Sequence, residues 1–167
     1  MDKVSFHPFE PIIFPDSETL ILGSFPSLKS FEDGFYYAHP RNQFWRLLSS
    51  IYEMPTDTIE SKISLLRFAK IALWDSVNSC ERRNSADTNL KNTKPNDIAR
   101  LLSEYPSIKK LFFTGKMAET LYNKYFSNLS IETKLLPSPS PAYAAMSFDD
   151  KLKIWRNLLD TKVPALR

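Results

Sequence analysis

Aromatic and amide side chains crowd the segment between residues 23 and 45, which reads GSFPSLKSFEDGFYYAHPRNQFW. Aromatic rings of this kind can stack on a nucleobase or another flat ligand. Asn42 offers both hydrogen-bond donors and an acceptor, and His39 can exchange a proton near neutral pH. The segment could therefore grip a flat, polar ligand and assist a reaction on it.

Two further segments combine residue types that suit a binding site. Residues 136–144 read LPSPSPAYA, in which three prolines stiffen a loop that already contains two hydroxyl side chains. Residues 74–85 read WDSVNSCERRNS and end in two arginines. We expect these loops to share a rim with the aromatic segment.

Each of these residues also has an ordinary structural explanation. Asn42 precedes an apolar helical stripe, so it could simply cap that helix. Tyr36 and Tyr37 could pack in the core, and His39 before Pro40 is more often a hydrogen-bonded loop residue. The other candidates are types common in turns and on charged surfaces: Ser138, Ser140, Arg82, Arg83 and Lys116. No single residue therefore distinguishes a binding site from ordinary structural roles, whereas the combination of these residues favours a binding site.

Alternating strand and helix patterns place these loops. Short apolar runs predict four buried strands, at Thr19–Ser24, Ile71–Trp74, Ile108–Thr114 and Ile131–Leu136. Apolar stripes at helical spacing lie between and after them, for example Phe44, Leu47, Leu48 and Ile51. The alternation predicts an α/β fold, a three-layer α/β/α sandwich around a central four-stranded parallel sheet.

Helix signals and strand order locate the ligand site more closely. Asp57 with Glu60 resembles a capping box, and Asn96 is the predicted N-cap of the stripe that begins at Ile98. In parallel sheets ligands bind beyond the carboxyl ends of the strands. The loops Gly23–Asn42, Asp75–Pro95, Gly115–Lys116 and Pro137–Met146 should therefore converge at one edge.

Composition narrows the class of protein. The 167 residues suit one domain, residues 1–167, and the net charge of +3 permits a polyanionic partner without requiring one. One cysteine excludes an internal disulfide, and three glycines leave no phosphate-binding fingerprint of a small-molecule α/β enzyme. No run approaches the ~20 apolar residues of a membrane span, so we expect a cytoplasmic protein with no membrane partner.

The chain resembles the uracil-DNA glycosylase superfamily. YAHPRNQFWRLL, residues 37–48, is similar to the aromatic-x-H-P-x-N-x-F-W segment of mismatch-specific uracil-DNA glycosylases. GSFPS, residues 23–27, stands in the place of the first superfamily motif, and LPSPSPA, residues 136–142, resembles the second. The match in order spans about residues 19–160.

The resemblance implies a role for each matched position. Tyr37 would stack on an everted base, Phe25 would form the pocket floor, and Gly23, Ser24 and Ser138 would bind the base. Asn42 would be catalytic, with His39 as a weaker candidate for protonating the leaving base. The implied DNA contacts are Arg41, Lys116, Ser140, Pro141, Ala142 and Tyr143, with Tyr143 as the wedge.

One departure favours a particular branch of the superfamily. Its first motif usually carries Asn or Asp at the third position, to place the attacking water, but this chain has Phe25 there. That resembles the hypoxanthine-DNA glycosylase branch and argues against robust uracil excision. The resemblance implies a monomer that binds DNA containing deaminated bases and uses neither a cofactor nor a metal. A uracil or mismatch glycosylase, and an inactive DNA-binding protein of the same fold, remain the alternatives.

Overall fold

A computed structural model describes residues 3–82 and 90–159. Along the chain the strands and helices are β1 (Lys3–Phe6), β2 (Thr19–Gly23), α1 (Leu28–Asp33), α2 (Phe44–Tyr52), α3 (Ile59–Ala69), β3 (Ile71–Asp75), β4 (Val77–Arg82), β5 (Lys91–Pro95), α4 (Ile98–Glu104), β6 (Lys110–Phe113), α5 (Lys116–Phe126), β7 (Glu132–Leu135) and α6 (Phe148–Leu159).

The central sheet has the strand order β3-β2-β6-β7, and every neighbouring pair is parallel. In β2 the side chains of Leu20 and Leu22 join one apolar cluster and that of Ile21 joins the other, because successive side chains of a strand face opposite ways. The first cluster includes residues of α4 and α5, and the second includes residues of α2, α3 and α6. Helices therefore cover both faces, which confirms the predicted three-layer fold.

A second sheet lies where the sequence predicted only a loop. Strands β1, β4 and β5 form an antiparallel sheet in the order β1-β4-β5, with β4 and β5 inside the Asp75–Pro95 segment. Neither strand has a long apolar run. β4 pairs with β1, which comes from the distant N-terminus, and β5 pairs with β4. This sheet continues directly from the carboxyl end of β3.

The two predicted helix caps were wrong by one residue each. Thr58 and Ser61 form the capping box of α3, rather than Asp57 and Glu60. Asp97 caps α4, since its side chain accepts the backbone N–H of Arg100. Asn96 is instead buried, and its amide donates to the carbonyls of Asp75 (2.8 Å) and Val77 (3.2 Å). It therefore braces the corner between β3 and β4.

Candidate active site

The site lies at the carboxyl ends of the central strands β2 and β6. The chain leaves β2 toward helices α1 to α3, whereas it leaves β6 into α5, whose residues join the opposite apolar cluster. Loops that diverge in this way open a crevice between adjacent strands, the usual ligand position in such folds. Here the crevice is a cavity of about 670 Å³. That volume falls within the ~300–1,000 Å³ of small-ligand sites.

Three predicted loops line this cavity together. Its walls include the residues Gly23, Ser24, Phe25, Tyr37, His39, Asn42, Ser138, Ser140, Pro141, Ala142 and Tyr143, each of which the sequence analysis named. Also lining it are Asp75, the last residue of β3, and Thr114, which follows β6; neither was predicted as a site residue. The segments were brought together as expected, while the role of each side chain remains a prediction.

Tyr37 presents an aromatic ring whose position is strongly constrained. Phe44 stacks on it with ring centroids 3.9 Å apart and an angle of 9° between the planes. The Tyr37 hydroxyl lies 3.1 Å from the hydroxyl of Thr114, on the loop after β6. Its backbone φ of +52° falls in the left-handed region, which is rare for a bulky residue. A ring held at both ends and backed on one face is preorganised for stacking.

Gly23 is the place where the cavity could not accept a side chain. A Cβ there would lie 2.5 Å from Asp75 Oδ1 and 2.9 Å from the Tyr37 hydroxyl. Both distances are shorter than normal Cβ contacts, so a side chain at this position would force the carboxylate and the phenol away from the strand end. The GSFPS segment therefore contributes a close backbone approach as well as its ring.

Asn42 lines the cavity and lies one residue before Gln43, the N-cap of α2, so the predicted cap position was off by one residue. Its Oδ1 accepts the Phe44 backbone N–H at 2.9 Å, in the first turn of α2. The amide group is thereby oriented, and its Nδ2 donors are directed away from that bond. His39 sits in the same turn: its carbonyl accepts the Asn42 N–H at 2.9 Å and its Nδ1 accepts the Arg41 N–H at 3.1 Å.

The Pro-Ser loop is fastened to two helices. Gln43, at the start of α2, donates its backbone N–H to the Pro139 carbonyl at 2.9 Å. From α6, Trp155 Nε1 donates to the Pro137 carbonyl at 2.9 Å. Lys151 Nζ reaches the Ser140 carbonyl at 3.3 Å and Gln43 Oε1 at 2.8 Å. These bonds hold the loop in register with the turn that carries Asn42.

Asp75 and His7 form a buried pair that the sequence analysis missed. His7 Nε2 lies 2.7 Å from Asp75 Oδ2, with side chains 3% and 5% exposed. Asp75 ends β3 and pairs with Gly23 on β2. A polar residue at the carboxyl end of a predicted strand could have indicated this site residue from the sequence alone. His7 gave no such signal, because it lies 68 residues from its partner.

Phe25 is buried among aromatic and cationic groups. Its ring centroid lies 5.7 Å from that of Phe31 and 6.0 Å from that of His7. The Arg82 guanidinium lies 5.0 Å from the Phe25 ring and donates to the Pro26 carbonyl. Arg82 is therefore a buried support of the GSFPS loop rather than a solvated surface charge. Arg83 lies outside the described residues.

Two groups near the cavity have displaced pKa values. Burial, followed by the nearby charge of Asp75, raises the pKa of the Tyr36 phenol above its ordinary value. Its hydroxyl donates to the Glu10 carbonyl at 2.9 Å, so it stays protonated. Burial lowers the pKa of Lys151, whose partners given above are neutral oxygens.

Two predicted DNA contacts lie outside the cavity wall. Arg41 and Lys116 are exposed, and neither lines the cavity, so a contact with DNA phosphate stays a prediction for both. Tyr143 lines the mouth and is 40% exposed. Among residues 3–82 and 90–159 no cluster of three His, Cys, Asp or Glu side chains could hold a metal, and no helix could cross a membrane.

Comparison with known proteins places this geometry in a family. The family model described as Uracil DNA glycosylase superfamily matches residues 11–159. The chain belongs to the uracil DNA glycosylase superfamily. Within this superfamily it is 35% identical, over 136 residues, to proteins named hypoxanthine DNA glycosylase from Methanosarcina barkeri and Methanosarcina acetivorans. Each match covers 80% of this chain and 85% of the relative.

A solved structure of the superfamily has the same fold. It is the solution NMR structure of a proposed uracil DNA glycosylase from Methanosarcina acetivorans, with a TM-score of 0.78 and 29% sequence identity. The similarity covers 93% of this chain and 99% of the other. The superfamily match therefore spans the central sheet, its helices and the cavity, whereas His7 lies before the matched range.

Proposed function

We propose that the protein is a DNA glycosylase that hydrolyses the N-glycosidic bond of hypoxanthine in DNA. The single observation that carries the proposal is the cavity in which the Tyr37 ring, the Asn42 amide and the Asp75 carboxylate meet. The names of the two curated relatives support hypoxanthine as the base. Phe25 in the first motif supports the same choice over uracil.

The target base must leave the duplex before such a cavity can hold it. Enzymes that act on bases evert the nucleotide, and unpairing costs least where the base pair is already weak. The Tyr37 ring, backed by Phe44, would then stack on the base, an interaction worth about 1–3 kcal/mol. Tyr143, exposed at the mouth, would fill the gap left in the duplex.

The reaction breaks the bond between C1′ of the sugar and N9 of the base. A water molecule adds its oxygen to C1′, one of its protons goes to solvent, and the departing base takes up a proton on a ring nitrogen. Asn42 would stabilise the negative charge that builds on the base, through its Nδ2 donors. Since no lysine lines the described cavity, the structure supports hydrolysis without a covalent amine intermediate.

Base recognition would rest on acceptors at the strand ends. Hypoxanthine presents a ring N1–H next to a carbonyl, whereas N1 of adenine is an acceptor. Asp75 Oδ1 is a carboxylate acceptor in the cavity and would bind that N–H. The same carboxylate would face a lone pair of adenine, which disfavours the normal base.

A lesion panel tests the proposal. The purified full-length protein is incubated with duplex and single-stranded oligonucleotides that carry hypoxanthine, uracil, xanthine or ethenoadenine, and with an adenine control. We expect hypoxanthine to be released fastest. Faster release of uracil would establish the alternative uracil or mismatch activity, and retardation of DNA without release of any base would establish an inactive DNA-binding protein.

The proposal also keeps three further expectations: that the protein is a monomer, that it acts in the cytoplasm and that it needs no cofactor.

A further inference from the structure

His7 joins the site from outside the superfamily match. It follows β1, in the antiparallel sheet, and precedes residue 11, where the match begins. Its backbone N–H donates to the Asn78 carbonyl on β4, which fixes the end of β1 against that strand. The side chain then turns inward, 3% exposed, toward the carboxyl end of β3.

The two oxygens of Asp75 have different surroundings. Oδ2 accepts from His7 Nε2 at 2.7 Å. Oδ1 lies at the Gly23 strand end, where a Cβ would be only 2.5 Å away, close to the Tyr37 hydroxyl that lines the cavity. His7 thus holds one oxygen, while the other lies at the strand end of a residue that lines the cavity. A carboxylate held in this way cannot rotate freely about its last side-chain bond.

The protein also fixes the orientation of the imidazole. The rings of Phe9, Phe25 and Tyr36 surround it, with centroids 5.7, 6.0 and 6.0 Å from the imidazole centroid. Its Nδ1 lies 3.0 Å from the Phe9 carbonyl oxygen and 3.2 Å from the Phe9 nitrogen. The neutral ring can therefore accept at Nδ1 and the protonated ring can donate there. In both states the proton on Nε2 remains available to Asp75.

We propose that His7 is a positioning residue for base recognition: it holds Asp75 so that Oδ1 accepts the ring N–H of the everted base. The inference rests on the proposed glycosylase function and deepens it. An acceptor at a fixed place discriminates by geometry, because a deaminated base offers a donor where adenine offers a lone pair. His7 itself contacts no substrate and acts through Asp75.

Two substitutions at His7 separate positioning from packing. His7→Phe keeps an aromatic ring but removes the donor, and His7→Gln keeps an amide donor of similar reach. We expect His7→Phe to lower the single-turnover rate of hypoxanthine release by about 100-fold, the effect of misplacing a reacting partner. His7→Gln should recover at least ten-fold of that loss. Affinity for undamaged duplex should stay within two-fold in both, because the cavity is then empty.

The control is Phe6→Leu, at the last residue of β1 and directly before His7; this residue is 66% exposed, and the variant should behave as the unmodified protein. A His7→Phe protein with the original rate would overturn the inference, as would equal rate losses in His7→Phe and His7→Gln, which would show that His7 only supports the fold. If the unmodified protein releases no hypoxanthine, the proposed function itself fails. That result is distinct from a loss of rate in the variants alone.

Discussion

At the scale of single residues, the Asn42 amide supports a helix and, in the proposed mechanism, also assists the reaction. Asn42 Oδ1 accepts the free Phe44 N–H at the start of α2, as a capping side chain does, and the residue lines the cavity. An N-cap contributes about 1 kcal/mol to stability, whereas a preorganised donor at a reacting group contributes about 10²–10³ in rate. The two contributions are carried by different atoms of the side chain, so substitutions can separate them.

Asn42→Asp should keep the cap and lose the catalytic donor. We expect base release to fall by about 10²–10³, measured in single turnover, with little change in the free energy of unfolding measured in urea. Asn42→Ala should lose the same activity and also about 1 kcal/mol of stability. A near-normal rate for Asn42→Asp would exclude the amide donor from the mechanism.

At the scale of the elements, α6 acts as the anchor of the Pro-Ser loop. Trp155 and Lys151 bind carbonyls at Pro137 and Ser140, three residues apart along the loop. Lys151 also binds Gln43, which directly follows Asn42. One helix therefore holds the loop and the turn that carries Asn42 in register, although residues from three separate segments meet there.

Lys151→Met should loosen this register while leaving the helix intact. We expect a fall of about ten-fold or more in kcat/KM on hypoxanthine DNA, because both hydrogen bonds to the loop and to Gln43 are lost. Stability should change little, since removing a buried ammonium also removes its desolvation cost. Lys153→Met, an exposed lysine on the same helix, makes the same change in charge and should retain activity. Equal effects of the two substitutions would show that charge alone matters.

At the scale of the whole molecule, the buried phenol of Tyr36 links the site to stability at high pH. Burial raises its pKa in the folded protein, so the fold retains a proton that the unfolded chain loses above about pH 10. Its contribution to stability is therefore complete below pH 10 and is lost as the pH rises further.

Tyr36→Phe tests this linkage. At pH 7 the variant should be less stable by about 0.5–1.5 kcal/mol, because it lacks the hydrogen bond to Glu10. At pH 11 this difference in stability should shrink by about 1.4 kcal/mol. Ionisation of Tyr36 stabilises the unfolded state of the unmodified protein at that pH, whereas the variant has no phenol there to ionise. Urea unfolding at the two pH values measures the difference, with Tyr143→Phe as the control for removing a tyrosine. A deficit that is the same at both values would contradict the assignment.

Local patterns in the sequence were enough to predict the central sheet, helices α2 to α6 and the loops of the site, whereas α1 lies inside the predicted loop Gly23–Asn42. Burial on the two sides of the sheet produces the apolar runs of its strands and the apolar stripes of its helices. In a parallel sheet the carboxyl ends of all strands lie at the same edge. The HPRNQFW and LPSPSPA segments indicated the family because they combine several residues at fixed spacing. Tyr37 and Asn42 accordingly lie in one cavity with Ser138.

Only the tertiary structure decided which distant residues complete the site. His7 and Asp75 are 68 residues apart, Lys151 and Gln43 are 108 apart, and β1 pairs with β4 across more than 70 positions. No periodicity encodes such pairs, because each depends on the packing of every element between them. The polar strand β4 illustrates the same limit: its conformation is specified by its partners β1 and β5 rather than by its own side chains.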